Sequence, residues 1–98
     1  MPVHFTPLHP GEVLQEEFLA PLGVSQHRLA LNMRVSPQKI KDIVRGKRGI
    51  TADTALRLAL VPGTTPEFWM GLQSDYDLEA AQDNLAGRLE KEVTPLRT

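Results

Sequence analysis

Side chains that could hydrogen-bond to nucleic acid are concentrated between residues 25 and 48. Over this stretch seven side chains are basic and one is acidic, a net charge of +6, although the whole chain carries −1. Gln38 can pair with adenine through both ends of its amide, and Lys39 can donate to guanine. Asp42, one turn further along, is suited either to accept from a cytosine amino group or to orient Lys39 or Lys41. These residue types predict contacts to base edges.

Neighbouring side chains are suited to the phosphate backbone. Gln26 is predicted at the start of a helix, where its amide and free backbone N–H groups can hold one phosphate. Lys47 and Arg48 follow the next predicted helix and can hold another. The spacing alone also fits the solvated side of an amphipathic helix, so that alternative stays open. The predicted DNA-binding residues are Gln26, Arg34, Ser36, Gln38, Lys39, Lys41, Asp42, Arg45, Lys47 and Arg48.

A helix-turn-helix at about residues 25–46 is the arrangement that would present these side chains to DNA. Ser25 and Ser36 are placed to cap its two helices, because a serine oxygen accepts from the free N–H groups of a helix start. Pro37 lacks the N–H that would be unpaired at the first helical position. Gly46 is expected to end the second helix in a left-handed conformation. The predicted inward positions are Leu29, Ala30, Met33, Ile40, Ile43 and Val44.

Three further helices are predicted around this pair, so residues 1–98 are expected to form a single all-helical domain of five helices. The first begins at Pro10 and is expected to be broken by Pro21 and Gly23. The fourth begins at Thr51 and the fifth at Thr65, each with a side-chain cap. Their apolar positions at helical spacing are Leu14, Phe18, Leu22, Ala55, Leu56, Ala59, Phe68, Trp69, Leu72 and Tyr76.

The C-terminal part of the chain has the opposite charge. Residues 67–92 carry seven acidic and two basic side chains, a net charge of −5. Leu78, Ala81, Leu85 and Leu89 follow one another at steps of three, four and four residues, which predicts an apolar stripe on a helical extension at about residues 79–91. Little of the chain remains to cover this stripe, so the three leucines are predicted to contribute to a homodimer interface or to contact a protein partner. Whether the extension continues the fifth helix or forms a sixth stays open.

The composition argues against catalysis and against bound metal or other cofactors. The chain has no cysteine, its three histidines are scattered, and Ser25 and Ser36 are accounted for as caps. His4 and His9 are therefore expected to be solvated. No apolar run approaches membrane-spanning length, and the first seven residues lack the features of a secretion signal. We expect a cytoplasmic protein.

Six segments spread over about residues 8–82 match one family pattern. They are His9-Pro10-Gly11-Glu12, Leu22-Gly23-Val24-Ser25, Val44-Arg45-Gly46-Lys47-Arg48-Gly49-Ile50-Thr51-Ala52-Asp53-Thr54-Ala55-Leu56-Arg57-Leu58-Ala59, Gly63-Thr64-Thr65-Pro66-Glu67-Phe68-Trp69, Leu72-Gln73 and Tyr76-Asp77-Leu78. With these segments the chain resembles the HigA-type antitoxins of type II toxin-antitoxin modules, which belong to the XRE/Cro-C1 helix-turn-helix group, named after phage repressors and Cro. The resemblance implies a five-helix, lambda-repressor-like DNA-binding domain with a C-terminal helical extension. It also implies a bacterial protein that is associated with the nucleoid when it binds DNA.

The resemblance also implies two activities. It implies an antitoxin that neutralises a HigB-type mRNA-cleaving toxin by direct binding and that, as a homodimer, binds a palindromic operator to repress its own operon. It places Gln26, Gln38, Lys39 and Asp42 at positions that face DNA in the wider repressor group. The alternative is a free-standing repressor of the Cro/C1 type without a toxin partner.

Two departures from the family pattern affect local structure. Arg34 stands where the turn of the helix-turn-helix usually carries glycine, so either this residue is left-handed at some cost or the turn differs. Val61 and Pro62 replace the usual helical ending of the fourth helix, and this replacement is expected to shorten it.

Overall fold

The computed structural model describes residues 8–96, and within them the chain forms six helices and no strand. The all-helical class predicted from the sequence is confirmed. Helix α1 has three consecutive parts, Pro10–Val13, Leu14–Leu19 and Ala20–Leu22. The remaining helices are α2 (Gln26–Met33), α3 (Pro37–Val44), α4 (Ala52–Leu60), α5 (Pro66–Asn84) and α6 (Leu89–Glu92). No helix in the described residues is long and apolar enough to cross a bilayer.

The sequence predicted that Pro21 and Gly23 break the first helix; α1 continues through Pro21 and ends at Gly23. Its middle part, Leu14–Leu19, is π-helical, and the N–H of Ala20 donates to the carbonyl of Gln15, five residues back. Proline disrupts an α-helix because it lacks the N–H and its ring crowds the carbonyl four residues earlier. The wider π-helical turn accommodates it. The helix ends after Leu22, where Gly23 adopts a left-handed conformation with φ of 66°.

Side-chain caps fix the starts of the two helices at the centre of the fold, as predicted. The Oγ atom of Ser25 accepts from the N–H of Arg28 at 3.0 Å, and that of Ser36 accepts from the N–H of Lys39 at 3.1 Å. Threonine caps at the starts of α4 and α5 act in the same way. Each cap of this kind is worth about 1 kcal/mol. The helix starts therefore follow from local sequence.

The core lies where α1 to α4 meet the first half of α5. All six predicted inward positions of α2 and α3 point into it; five are buried, and Val44 is partly buried. Three apolar residues at the predicted helical spacing are instead exposed, Leu22 by 64%, Leu56 by 57% and Phe68 by 41%. On α4 the buried side is formed by Thr54, Ala55, Leu58 and Ala59. Leu56 lies roughly 130° around the helix from the centre of that side, so it points away from the core.

The start of α1 packs tightly against α3. A Cβ atom on Gly11 would overlap the carbonyl oxygen of Ile43, so only glycine allows the two backbones to approach so closely. His9 caps α1 through its Nδ1 atom, which accepts from the N–H of Gly11 at 2.9 Å. The His9 ring also meets Tyr76 of α5 edge-on, with ring centroids 4.9 Å apart. The expectation that His9 is solvated is therefore wrong, and His4 lies outside the described residues.

The second half of α5 extends beyond the core. The buried residues of α5 are Trp69 and Gln73, and its last eleven residues are exposed or half-buried. A turn with left-handed Gly87 then leads into the single turn of α6. Residues 79–84 thus continue the fifth helix and residues 89–92 form a sixth. Earlier in the chain, α4 ends at Leu60, so Val61 and Pro62 lie outside it.

Candidate nucleic-acid interface

Helices α2 and α3 form the predicted helix-turn-helix, and the turn between them depends on Arg34. Arg34 is left-handed, with φ of 58° and ψ of 46°, and it is the one such non-glycine residue in the described part of the chain. This conformation costs roughly 1–2 kcal/mol for a residue with a Cβ atom. Of the two alternatives for this position, a left-handed Arg34 or a different turn, the structure therefore adopts the left-handed Arg34.

Arg57 of α4 holds the end of α2. Its Nη1 atom donates to the carbonyl oxygen of Met33 at 2.9 Å, and its Nε atom lies 3.1 Å from an Asp53 carboxylate oxygen. The last carbonyls of a helix lack partners within the helix, and a positive charge is favourable at that end. Arg57 thus steadies the turn beside Arg34. Sequence reasoning missed this role, for which the only local signal is the spacing of four residues from Asp53.

The outward side of α3 carries four of the predicted DNA-contacting residues in one stripe. Gln38, Lys41, Asp42 and Arg45 are separated by three, one and three positions, which places them on the side of the helix opposite Ile40 and Ile43. Seven of the ten predicted residues are exposed, and Gln26, Lys39 and Asp42 are half-buried. Ser36 also serves as the cap of α3. The structure therefore brings the predicted set to the helix-turn-helix and the loop after it.

Two of these side chains are already hydrogen-bonded to each other. The Nε2 atom of Gln38 donates to the Oδ1 atom of Asp42 at 2.8 Å. This contact joins Asp42 to Gln38 and not to either lysine that the sequence suggested. The polar end of Gln38 is therefore oriented before any ligand arrives.

Gln26, at the first position of α2, is held from α1. Its Nε2 atom donates to the Oε1 atom of Gln15 at 3.2 Å. Gln15 lies in the π-helical part of α1 and was not singled out from the sequence, because the contact joins residues eleven positions apart. Gln26 retains its amide oxygen and a second N–H group for an outside partner.

The basic loop after α3 is anchored by a buried glutamine of α5. The Oε1 atom of Gln73 accepts from the N–H of Ile50 at 2.6 Å, while its Nε2 atom donates to Asp77 at 2.9 Å. Gln73 is 8% exposed. Lys47 and Arg48 precede this anchor and are exposed. Gln73 was also missed from the sequence, where its one signal is a polar residue on the apolar side of α5.

Leu78 lies on α5, Leu85 directly follows the end of α5, and Leu89 begins α6. The turn with left-handed Gly87 therefore interrupts the stripe that the sequence predicted on one helical extension. Leu78 is 59% exposed and Leu89 42% exposed, whereas Leu85 is half-buried. Leu78 borders a shallow groove whose other sides include Ile50 and Met70. In the part of the chain that the structure describes, no three His, Asp or Glu side chains converge into a possible metal site.

Comparisons with known proteins agree with this arrangement. Residues 15–69, more than half of the chain, match the family model described as helix-turn-helix. Virulence-associated protein I of Dichelobacter nodosus is 51% identical over 77 residues, which cover 79% of this chain and 71% of that protein.

Two solved structures extend the likeness to the whole fold. The Pseudomonas aeruginosa antitoxin HigA, solved with the higBA promoter, is 44% identical with a TM-score of 0.87, covering 93% of this chain and 99% of that one. The antitoxin GraA, solved in complex with its operator, is 37% identical with a TM-score of 0.89, covering 100% and 99%. The chain belongs to the helix-turn-helix family and, within it, to the HigA-type antitoxins.

Proposed function

We propose that this protein is an antitoxin that represses its own operon by binding a palindromic operator and that neutralises a HigB-type mRNA-cleaving toxin by direct contact. The observation that carries the DNA-binding half is the outward stripe of α3, a helix whose inward side is buried in the core and which is followed by an anchored basic loop. The solved HigA and GraA structures contain a promoter and an operator, respectively, which supports the same activity for this chain.

In the proposed complex, α3 lies in the major groove with Gln38 and Lys39 facing base edges. Gln26, at the start of α2, and Lys47 with Arg48, in the anchored loop, contact phosphates on either side. The other residues proposed at the interface are Arg34, Ser36, Lys41, Asp42 and Arg45, of which Asp42 is hydrogen-bonded to Gln38. One module of this size buries little DNA, so a homodimer on two half-sites supplies the specificity.

Two substitutions separate phosphate contacts from base contacts. Lys47→Ala is expected to weaken binding to every sequence and to reduce the salt slope of log K by about 1. Gln38→Ala is expected to relax base choice at particular operator positions by about 1–3 kcal/mol. Both are measured by titrating specific and random duplexes at several salt concentrations.

Lys91→Ala serves as the matched control, because it removes the same charge from α6, on the acidic C-terminal segment. It is expected to leave both the salt slope and base choice unchanged. Equal losses on specific and random DNA for Lys47→Ala and Gln38→Ala would contradict the proposed division of roles.

The toxin-binding half of the proposal rests on charge and on an uncovered apolar stripe. Residues 67–92 carry a net charge of −5, which complements a basic ribonuclease. Leu78 and Leu89 expose apolar surface next to these carboxylates. We propose that Leu78, Leu85 and Leu89 contact the toxin or a second copy of the chain.

Co-expression with the product of the adjacent reading frame tests the antitoxin role. A short, basic, ribonuclease-like neighbour is expected to arrest growth alone, and this chain is expected to co-purify with it and restore growth. If the chain does neither yet binds its own promoter, the protein is a free-standing repressor without a toxin partner.

A further inference from the structure

The hydrogen bond between Gln38 and Asp42 constrains which way round the glutamine amide points. The two residues lie one helical turn apart on the outward stripe of α3, with Nε2 of Gln38 2.8 Å from Oδ1 of Asp42. An ionised carboxylate only accepts hydrogen bonds, so it selects the NH₂ end of the amide and not the oxygen end. Asp42 is half-buried while Gln38 is exposed, so the carboxylate lies closer to the helix and the amide reaches outward.

An amide held in this way presents a defined pattern to the major groove. One of its two N–H groups is taken by Asp42, which leaves one donor and the carbonyl acceptor. Adenine displays one acceptor, N7, and one donor, the N6 amino group, so the remaining pattern is complementary to it. Guanine displays two acceptors, N7 and O6, and the amide oxygen would face O6 without a hydrogen atom between them. A freely rotating glutamine has no such restriction, because both N–H groups can turn toward guanine.

The negative charge of Asp42 argues against a direct contact between Asp42 and DNA. Residues 25–48 contain seven basic side chains and one acidic side chain, Asp42, and a carboxylate near DNA is repelled by the phosphates. We propose that Asp42 is a positioning residue: it does not read a base itself, and it makes Gln38 selective for adenine over guanine. This inference rests on the proposed DNA-binding function.

Selection of DNA from a random library tests the inference, using the full chain, Asp42→Ala, Asp42→Asn and Gln38→Ala. The unaltered chain is expected to prefer adenine over guanine about 10- to 100-fold at the position that depends on Gln38. Asp42→Ala is expected to lose about tenfold of that preference, while its affinity for random DNA stays equal or rises because a negative charge is gone. Asp42→Asn retains an acceptor oxygen but can also donate, so its preference is expected to be intermediate.

An affinity for random DNA that is equal to or higher than that of the unaltered chain separates positioning from damage to the fold, since a damaged helix-turn-helix would bind all sequences less well. Thermal unfolding checks that each variant remains folded. In the double variant Gln38→Ala with Asp42→Ala, base preference is expected to equal that of Gln38→Ala alone, because Asp42 acts only through Gln38.

Three results would overturn the inference. The first is an unchanged preference for adenine in Asp42→Ala. The second is a further change of base preference when Asp42 is replaced in the Gln38→Ala background, which would make Asp42 a base reader. The third is a Gln38-dependent position that favours a base other than adenine. A chain that selects no sequence at all would instead refute the proposed function, and the inference with it.

Discussion

Helix α3 and the second half of α5 both carry apolar stripes at helical spacing, yet the fold covers only the first. Ile40 and Ile43 of α3 are fully buried among α1, α2 and the core. Leu78 of α5 is 59% exposed, and no residue of α5 beyond Gln73 is buried. The difference shows that an apolar stripe predicts a surface that packs against something, but does not specify whether the packing partner is the same chain or another molecule. It also divides the molecule into a rigid, basic part and a projecting, acidic part.

The largest effect is expected where α1 crosses α3. Gly11→Ala would force a Cβ atom into the Ile43 carbonyl, so the backbones must separate, at a cost of about 3 kcal/mol in the free energy of unfolding. Gly71→Ala on α5 is the matched control, because nothing lies within 4 Å of its added Cβ atom. It should be neutral or stabilise the helix by about 1 kcal/mol. Urea unfolding of both variants measures the contrast, and similar effects at the two glycines would refute it.

A smaller effect, at the junction of the two parts, is expected from Gln73→Leu. The buried N–H of Ile50 would lose its acceptor, which costs about 1–3 kcal/mol of stability. Because the same contact anchors the loop carrying Lys47 and Arg48, affinity for specific and random DNA should fall together. Gln82→Leu, at an exposed position of the same helix, should change neither property. Thermal unfolding and DNA titration report on the two consequences, and a stable variant with normal DNA binding would exclude an anchoring role.

The elements that could be predicted from the sequence are those fixed by neighbours along the chain. Ser25 and Ser36 cap their helices and Gly46 is left-handed, because these outcomes depend on a few adjacent residues. For Arg34 the sequence left two alternatives open, and only the structure shows that this residue is left-handed. The break expected at Pro21 and Gly23 is confirmed at Gly23, where the helix ends, and wrong at Pro21, because proline rules assume α-helical hydrogen bonding and the turn before Pro21 is π-helical.

Contacts across the fold could not be predicted in the same way. Gln73 and Ile50 are 23 positions apart, and Arg57 and Met33 are 24 apart, so no local pattern connects them. The burial of His9 depends on Tyr76, which α5 brings back over the start of α1. For the proposed interface, residue types and helical spacing located the outward side of α3. The hydrogen bond between Gln38 and Asp42 could be identified only from the positions of the side chains in the structure.

Breaking the apolar stripe of α5 is expected to affect association and leave folding intact. Leu85→Asp should change the free energy of unfolding by about 0.5 kcal/mol or less, since the core does not extend to this residue. Association with the toxin or with a second copy should weaken by roughly tenfold or more. Ala80→Asp, on the opposite side of α5, is the control and should associate normally. Sedimentation and co-purification are the measurements, and unaltered self-association together with unaltered toxin binding would remove the proposed role of the stripe.

The smallest expected effect is a pH dependence at His9, where the two parts of the molecule touch. Burial lowers the pKa of His9 below its usual value near 6.5, and the nearby carboxylates of Asp77 and Glu12 only partly oppose this. Below about pH 6.5 the unfolded chain therefore binds a proton that the folded chain resists, so stability declines as the pH falls. Protonation of Nδ1 would also remove the acceptor that caps α1.

Two asparagine substitutions isolate this contribution. His9→Asn keeps a capping side chain but does not titrate, so its stability should vary less between pH 7.5 and about 5.5 than that of the unaltered chain. His27→Asn changes an exposed histidine of α2 and should keep the full pH dependence. Thermal unfolding across this range measures both. If His9→Asn loses as much stability on acidification as the unaltered chain does, the pH response arises elsewhere, and the contact between α1 and α5 is held by the packing of His9 on Tyr76 alone.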